Sequence, residues 1–394
     1  MVGLTLALAL SQGGMKVALA DPMMPVQLLD ERFDGRVSAL AFASVRMLQV
    51  LGLWNGLAPD AQPINDIVVS DGELGGKASP FSLHFDHREI DEVLGYIVEN
   101  RHIRRALLQA TQSRAGLVFL PGIAVESLAV RDGSSTMSLS NGQTIESPLA
   151  VAAEGRESQL REAQGLRSVA WDYPQIGIVT TVEHERPHNG VAYEHFLPTG
   201  PFAILPMTGN RSSLVWTEET NEARRLVGLD EPGFTAELRL RFGGHLGEVN
   251  PTGPRWSYPL KLHLARSYVQ HRFALIGDAA HTIHPIAGQG LNLGLKDAAA
   301  LAETVLDAAR LGLDFGRSDV LERYERWRRF DSLALAAATD GINRLMSNNV
   351  PFLRWGRDLG MGIVDAIPPL RQFFMRHAGG DVGTLPRLLK GEAA

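Results

Sequence analysis

The stretch from Ala274 to Ala300 constrains the fold more than any other part of the chain. Arg272 to Ile276 reads as an apolar strand that delivers Gly277-Asp278-Ala279-Ala280-His281 to a loop. After Pro285, the run Gly288-Gln289-Gly290-Leu291-Asn292-Leu293-Gly294 opens a helix predicted over Leu291 to Ala309. The first turn of such a helix carries unsatisfied N–H donors and partial positive charge, which suit anionic density on a ligand. Asp278 has the chemistry to bind sugar-alcohol hydroxyls, and the glycines let backbone approach a flat ring closely.

The chain opens with a matching half-motif. Gly3 to Gln12 is predicted helical, Gly13-Gly14 stops the helix, and Lys16 to Ala20 forms a strand that ends at Asp21. This is the back half of a dinucleotide-binding βαβ unit, with Gly3 at the fingerprint's third glycine and Asp21 placed to accept hydrogen bonds from a ribose. The other two glycines and the first strand would precede Met1, so the start reads as truncated or misassigned. Val2 to Leu10 followed by Ala18-Leu19-Ala20 also imitates a signal peptide, but no Lys or Arg precedes the apolar run.

Further along, Ile67 to Phe85 and Trp171 to Thr217 alternate β-branched or aromatic residues with polar ones, as two contributions to one antiparallel sheet. Arg101 to Thr111 reads as a helix, Pro148 to Ala153 as a short strand ending at Glu154-Gly155, and Asn221 to Arg241 as helical with a break near Pro232-Gly233. From Asp319 the chain is helical and Arg-rich, with Phe352, Leu353, Trp355, Leu359, Met361 and Val364 interleaved. That tail is either a packed helical cap or a face for a membrane surface or partner.

Composition excludes several chemistries. With 394 residues the chain has room for two or three lobes, and with no cysteine it has no disulfide, thiolate metal site or cysteine nucleophile. A formal charge of −6 gives no reason to expect nucleic acid. No stretch reaches the length of apolar sequence that spans a bilayer, so any membrane contact is expected to be peripheral; the absence of cysteine is compatible with the expected cytoplasmic location.

The Gly277–Asn292 motif resembles the second FAD motif of flavoprotein hydroxylases similar to para-hydroxybenzoate hydroxylase. Within that class, Gly277 to Pro285 and Gly288 to Asn292 look like the ubiquinone-biosynthesis hydroxylase family. Asp34 to Leu40, Val98-Glu99-Asn100 and Arg211 to Thr217 extend the likeness over nearly the whole chain. Where the family's middle motif has Asp-Gly, this chain has Glu154-Gly155, which keeps the charge and alters the geometry.

The resemblance implies an α/β fold in three parts. A discontinuous Rossmann-like FAD-binding domain takes residues 1–65, 95–165 and 266–318, an antiparallel-sheet substrate domain takes 66–94 and 166–265, and a C-terminal helical region takes 319–394. It implies that Gly3, Asp21, Arg36, Asn100, Glu154, Gly277 and Asp278 hold FAD, with Gly288, Gln289, Gly290, Leu291 and Asn292 at the isoalloxazine. Pro285, Gly288 and Gln289 are expected to line the reaction zone, opposite a far wall formed by the sheet from Tyr193 to Trp216.

The implied chemistry is reduction of FAD by NADH or NADPH, addition of O2 to form a flavin hydroperoxide, and oxygen transfer to a prenylated phenol. Association with other ubiquinone-biosynthesis proteins belongs to the same expectation. The alternatives are a flavin-dependent prenyl-chain reductase and a non-catalytic assembly subunit. Three other motifs weigh less. His281 and His284 lack an assured third metal ligand. Gly75-Gly76-Lys77 lacks the Ser/Thr and first Gly of a P-loop. No G-x-S-x-G elbow is present.

Overall fold

The computed structural model describes residues 1–25, 34–71, 82–347, 362 and 364–394, with residue 287 described by its main chain. Gly75-Gly76-Lys77 and the tail residues Phe352, Leu353, Trp355, Leu359 and Met361 lie outside the described residues.

The opening helix, Val2–Gln12, is apolar on nearly every side, with Leu4 through Ser11 all buried. Such a helix is stable only when covered on both flanks. One flank packs on the Gly290–Arg310 helix, whose Leu306 fills the space beside Gly13. The other crosses two short parallel strand pairs, Val17–Asp21 with Leu117–Pro121 and Ala150–Ala152 with Phe273–Leu275. Gly3 spans them: a Cβ there would lie 3.0 Å from Ala153 and 3.8 Å from Leu19.

Beside this layer, Val37–Leu40, Gly95–Glu99 and Ala61–Ile64 form a small antiparallel sheet. The Asn100–Ser113 helix buries Ile103, Leu107 and Leu108, the face expected from their spacing.

The second layer is a broad sheet. In order its strands are His281–Thr282, Trp256–Ala265, Ser168–His184, Arg211–Glu219, Gly200–Met207, Val191–Leu197, Asp66–Asp71 and Ser82–Asp86. The two expected contributions do join, but their junction is parallel rather than antiparallel, with Glu194 opposite Val69. No hairpin connects those strands; the chain between them runs through the other layer, and a long connection leaves strand direction free.

One face of this sheet is covered by the helices Thr220–Val227 and Glu231–Phe242, which bury Phe234, Leu238 and Phe242 against Phe202, Leu214 and Trp216. The helical break falls at Gly228–Asp230 and not at Pro232-Gly233. Asp230 caps the second helix by accepting from the Gly233 amide at 3.0 Å, and Pro232 sits in its first turn, where no intrahelical donor is lost.

The long helix Ser318–Met346 buries Leu321, Tyr324, Arg328, Ser332, Ala336, Thr339, Asn343 and Met346 as one stripe. Its other side leaves Phe330 77%, Leu333 43% and Leu345 44% exposed. The Pro368–Ala378 helix adds exposed Phe373 and Phe374, and docks through Gly379, where a Cβ would overlap the Phe42 ring. Among the described residues no helix is long and apolar enough to cross a membrane.

Leu8 is fully buried at the centre of the opening helix. Leu8→Ala is expected to cost roughly 2–5 kcal/mol, read as a lower urea midpoint with unchanged m value.

Candidate active site

The Phe273–Leu275 strand ends at a tight turn, Gly277–Ala279, in which Gly277 adopts φ +60° and is buried. That left-handed angle excludes a side chain at low cost. Val2 packs against Gly277, and a Cβ at Gly294 would meet Val2 Cγ2 at 2.7 Å and the Gly277 Cα at 3.3 Å. Three elements therefore converge on small residues, and the first turn of the opening helix is brought to the turn bearing Asp278.

Asp278 is the exposed residue of its turn. Desolvation by the surrounding protein raises its carboxyl above the ordinary value, opposed by His281, Arg156 and the Met1 amino group. Burial lowers that amino group, while Asp21 and Asp278 draw it upward. Asp21 thus shares one locality with Asp278, and its Oδ1 accepts from the Met23 amide at 2.9 Å.

The remaining predicted residues fall into three groups. Arg36 pairs with Asp34 at 2.6 Å and lies over the Trp256 ring at 5.3 Å. The Asn100 amide donates to the Arg36 carbonyl at 2.9 Å, and the Asn100 side chain accepts from Ser38 at 2.6 Å, so these two residues are neighbours. Glu154 accepts from Ser158 Oγ at 2.6 Å and from the Leu160 amide at 3.2 Å. Ser158 caps the Gln159–Ala163 helix, and Arg161 in that helix donates to the Ala279 carbonyl at 3.1 Å. The Glu154 loop is thereby fastened to the Asp278 turn.

The third group is the Pro285–Asn292 segment. Gly288 has φ +62° and rests on Ala39, which a Cβ would meet at 3.0 Å. Gln289 donates to the Ala378 carbonyl at 3.0 Å. Gly290 begins the helix, and Leu291 is half-buried at the edge of the core. Asn292 uses both ends of its amide on the protein: Oδ1 accepts from the Ala41 amide and Ser44 Oγ, each at 2.9 Å, and Nδ2 donates to the Ala39 carbonyl at 2.9 Å. It staples the loop helix to the Val37–Leu40 strand.

Sequence reading missed the group that holds the site together. Asp297 is fully buried. One carboxylate oxygen accepts from the Gly277 amide at 2.9 Å and from His281 Nε2 at 2.6 Å, and the other accepts from Arg328 Nε at 2.8 Å. Burial alone would raise this carboxyl, but His281 and Arg328 hold it below its ordinary value. Arg328 also donates to Asp331 at 2.9 Å, and Tyr324 donates to the Leu275 carbonyl at 2.8 Å. The available signal was an acid inside the Ala/Leu face of the Gly290–Arg310 helix, matched by an Arg on the buried stripe of the next helix.

His284 packs edge-on to Tyr173 at 5.1 Å, and burial lowers it to about 4. Among the described residues no group of three or more His, Asp or Glu could hold a metal.

Asp297→Asn leaves the Arg328 guanidinium without a counter-charge on one side and is expected to cost roughly 3–5 kcal/mol. Because Asp297 is held low in the folded state, its contribution is present above the unfolded carboxylate value and is lost as pH falls through the folded one. The gap between wild type and variant in urea unfolding is therefore expected to be widest at neutral pH and to shrink under acid.

The residues present fit a flavin dinucleotide. A helix start, a Gly turn with one outward acid, and a glycine loop resting on a bare Ala39 strand form a cradle that Cβ atoms would fill. The family model described as "FAD binding domain" matches residues 1–336. Ubiquinone hydroxylase UbiL of Rhodospirillum rubrum is 47% identical over 99% of this chain and 91% of its own. The 3-demethoxyubiquinol 3-hydroxylase of Escherichia coli K12 is 33% identical over 96% of each chain. The crystal structure of p-nitrophenol 4-monooxygenase PnpA from Pseudomonas putida superposes with TM-score 0.79 at 18% identity, covering 98% of this chain and 96% of that one. The chain belongs to the FAD-binding-domain family and is an FAD-dependent monooxygenase.

Proposed function

We propose that this monooxygenase hydroxylates the aromatic ring of a polyprenyl phenol in ubiquinone biosynthesis, with O2 as co-substrate and NADH or NADPH as electron donor. The observation that carries the reading is full-length similarity, 47% and 33%, to a ubiquinone hydroxylase and a demethoxyubiquinol hydroxylase. The site agrees in character. Phe196, Val69 and Leu83 of the broad sheet pack with Ile286 of the loop, so an apolar wall faces Pro285–Gly288, as an apolar ring requires.

When bound, FAD supplies electron transfer and oxygen activation. The chain's part is to hold and shield. Asp278 and Asp21 are assigned to the ribityl and ribose hydroxyls, the first turn of the opening helix to the phosphates, and Arg36 and Asn100 to the flank of the cofactor. Gly288 to Asn292 present backbone to the flavin ring, and the sheet closes the cavity against water. Segments 1–65, 95–165 and 266–318 form the cofactor lobe in this assignment, 66–94 and 166–265 the substrate lobe, and 319–394 the helical region.

The exposed Phe330, Leu333, Leu345, Phe373 and Phe374 give the C-terminal helices an apolar face suited to peripheral contact with a membrane that carries the prenylated substrate, or with other proteins of the pathway.

A strain lacking the gene is expected to accumulate an under-hydroxylated prenyl phenol in quinone extracts; an unchanged quinone pool would overturn the assignment. Reductant consumption without oxygen insertion would identify a prenyl-chain reductase instead. Gly294→Ala, which forces Val2 away from Gly277, is expected to weaken FAD binding about tenfold, or about 1.4 kcal/mol, in a flavin fluorescence titration.

A further inference from the structure

The cleft-facing side of the broad sheet is ordered in rows. One row ends at Phe196, which packs with Ile286 and Met346. Another contains Ala192, Leu205 and Ile67, which pack with Val37 and Ala39 of the strand under Gly288. Between them the strand register aligns Val179, Val215, Ala203, Glu194 and Val69 side by side. The two outer rows touch the cofactor lobe, and the middle row touches it at Val69, which packs with Ile286. In the middle row the small side chains of Ala203 and Val69 flank Glu194, on the sheet face that meets the Pro285–Gly288 loop through Ile286.

Glu194 is the only ionisable residue in that span of the row. Tyr193 and His195, its neighbours on the strand, alternate to the opposite face, where Tyr193 packs against the helix-covered core and His195 bonds Ser70 at 2.7 Å. Among the described residues none donates a hydrogen bond to the Glu194 carboxyl or pairs with it. As a residue it is half-buried.

Other charged or titratable groups on this face are set apart. Asp71 lies two positions further along its own strand, and Arg211 is bound to Glu99 at 3.2 Å beyond the Leu205 row. Tyr258 sits over Gly177 near the other edge. The Ser82–Asp86 strand presents Leu83 and Phe85, the Val37–Leu40 strand Val37 and Ala39, and the helical region Met346 and Met375. Burial raises the Glu194 carboxyl to about 7, with no offsetting cation among the described residues.

We propose that Glu194 is the residue that receives the phenolic proton of the bound substrate. The phenol O–H bond breaks, its electron pair stays on the ring oxygen, and the proton forms an O–H bond on the Glu194 carboxylate. The ring is then held by a short hydrogen bond and made electron-rich at the positions open to oxygen transfer. This rests on the phenol-hydroxylating reading above. A group whose proton affinity lies near neutrality is suited to that exchange, because it takes up and gives back a proton at little cost.

The test uses the FAD-loaded full chain, wild type against Glu194→Gln and Glu194→Asp. The first measurement is the difference spectrum on binding 4-nitrophenol, whose phenolate band reports proton loss without turnover. Wild type is expected to bind it with a strong phenolate band, the Gln variant with at least a tenfold weaker one, and the Asp variant to restore part of it. The second is the pH profile of kcat/KM with a prenyl phenol. In wild type it is expected to rise through about pH 7, and in the Gln variant this limb is absent.

Folding is an internal check. A carboxyl raised in the folded state opposes folding once pH exceeds the unfolded value, and the full penalty is reached above the folded one. Glu194→Gln is therefore expected to melt higher than wild type at pH 8. A phenolate band and pH profile unchanged in the Gln variant would overturn the role of Glu194 even if wild type hydroxylates prenyl phenols. A Glu194-dependent phenolate band in an enzyme inert toward prenyl phenols would support Glu194 and overturn the substrate class.

Discussion

A carboxylate deprived of water is tolerated only when donors surround it, and Asp297 receives its donors from three separate parts of the chain. The Gly277 amide belongs to the turn bearing Asp278, His281 to the loop beyond it, and Arg328 to the long helix Ser318–Met346. Satisfying one buried charge thus fixes the relative position of all three. Tyr324, one turn before Arg328, adds a bond to the Leu275 carbonyl at the end of the strand that feeds the turn. Arg161 completes the frame from the other side through the Ala279 carbonyl. A turn that must meet a ligand within a few tenths of an ångström needs this support, since loop backbone by itself does not hold such tolerances.

Close approach is the second constraint, and it follows from the first. Once the turn is anchored, the opening helix reaches it only because Gly277 and Gly294 leave room for Val2. The same device recurs at Gly288, which rests on Ala39, and there Asn292 locks the contact by bonding the Ala39 carbonyl. Ala39 in turn packs with the Ala192–Leu205 row of the broad sheet. A chain of contacts therefore runs from the buried Asp297 through the loop helix to the broad sheet, so the spacing between the Gly288 loop and the sheet is set by this packing.

Much of this was legible in the sequence where the signal is local. The Gly290–Arg310 helix lies within a residue of its predicted bounds, and the Asn100–Ser113 helix buries the face that its apolar spacing selects. What escaped depends on contacts between distant segments. The parallel junction of Val191–Leu197 with Asp66–Asp71 leaves no mark in either strand. The helical break was placed at Pro232, whereas proline in a first turn is neutral and the stop is made by Gly228 and the Asp230 cap. Asp297 carries no local signal of its role, because its partners Gly277, His281 and Arg328 lie elsewhere in the chain. Glu194 was hidden for a subtler reason: in a half-buried strand an acid between Tyr193 and His195 marks the solvent side, and only the second lobe turns that side inward.

Two carboxyls, Asp278 and Glu194, stand in different surroundings. Protein bulk raises both, but Asp278 stands at the exposed rim with His281, Arg156 and the Met1 amino group pulling it back toward ionisation. Among the described residues no cation offsets the burial of Glu194. The same functional group is thereby given two characters: one acid whose upward shift is opposed by nearby cations, and one whose proton affinity burial alone brings near neutrality. Nothing in the pattern of acids along the chain distinguishes them. The difference arises from which acid has cations around it and which is enclosed by valine and alanine, and both conditions are fixed by how the two layers meet.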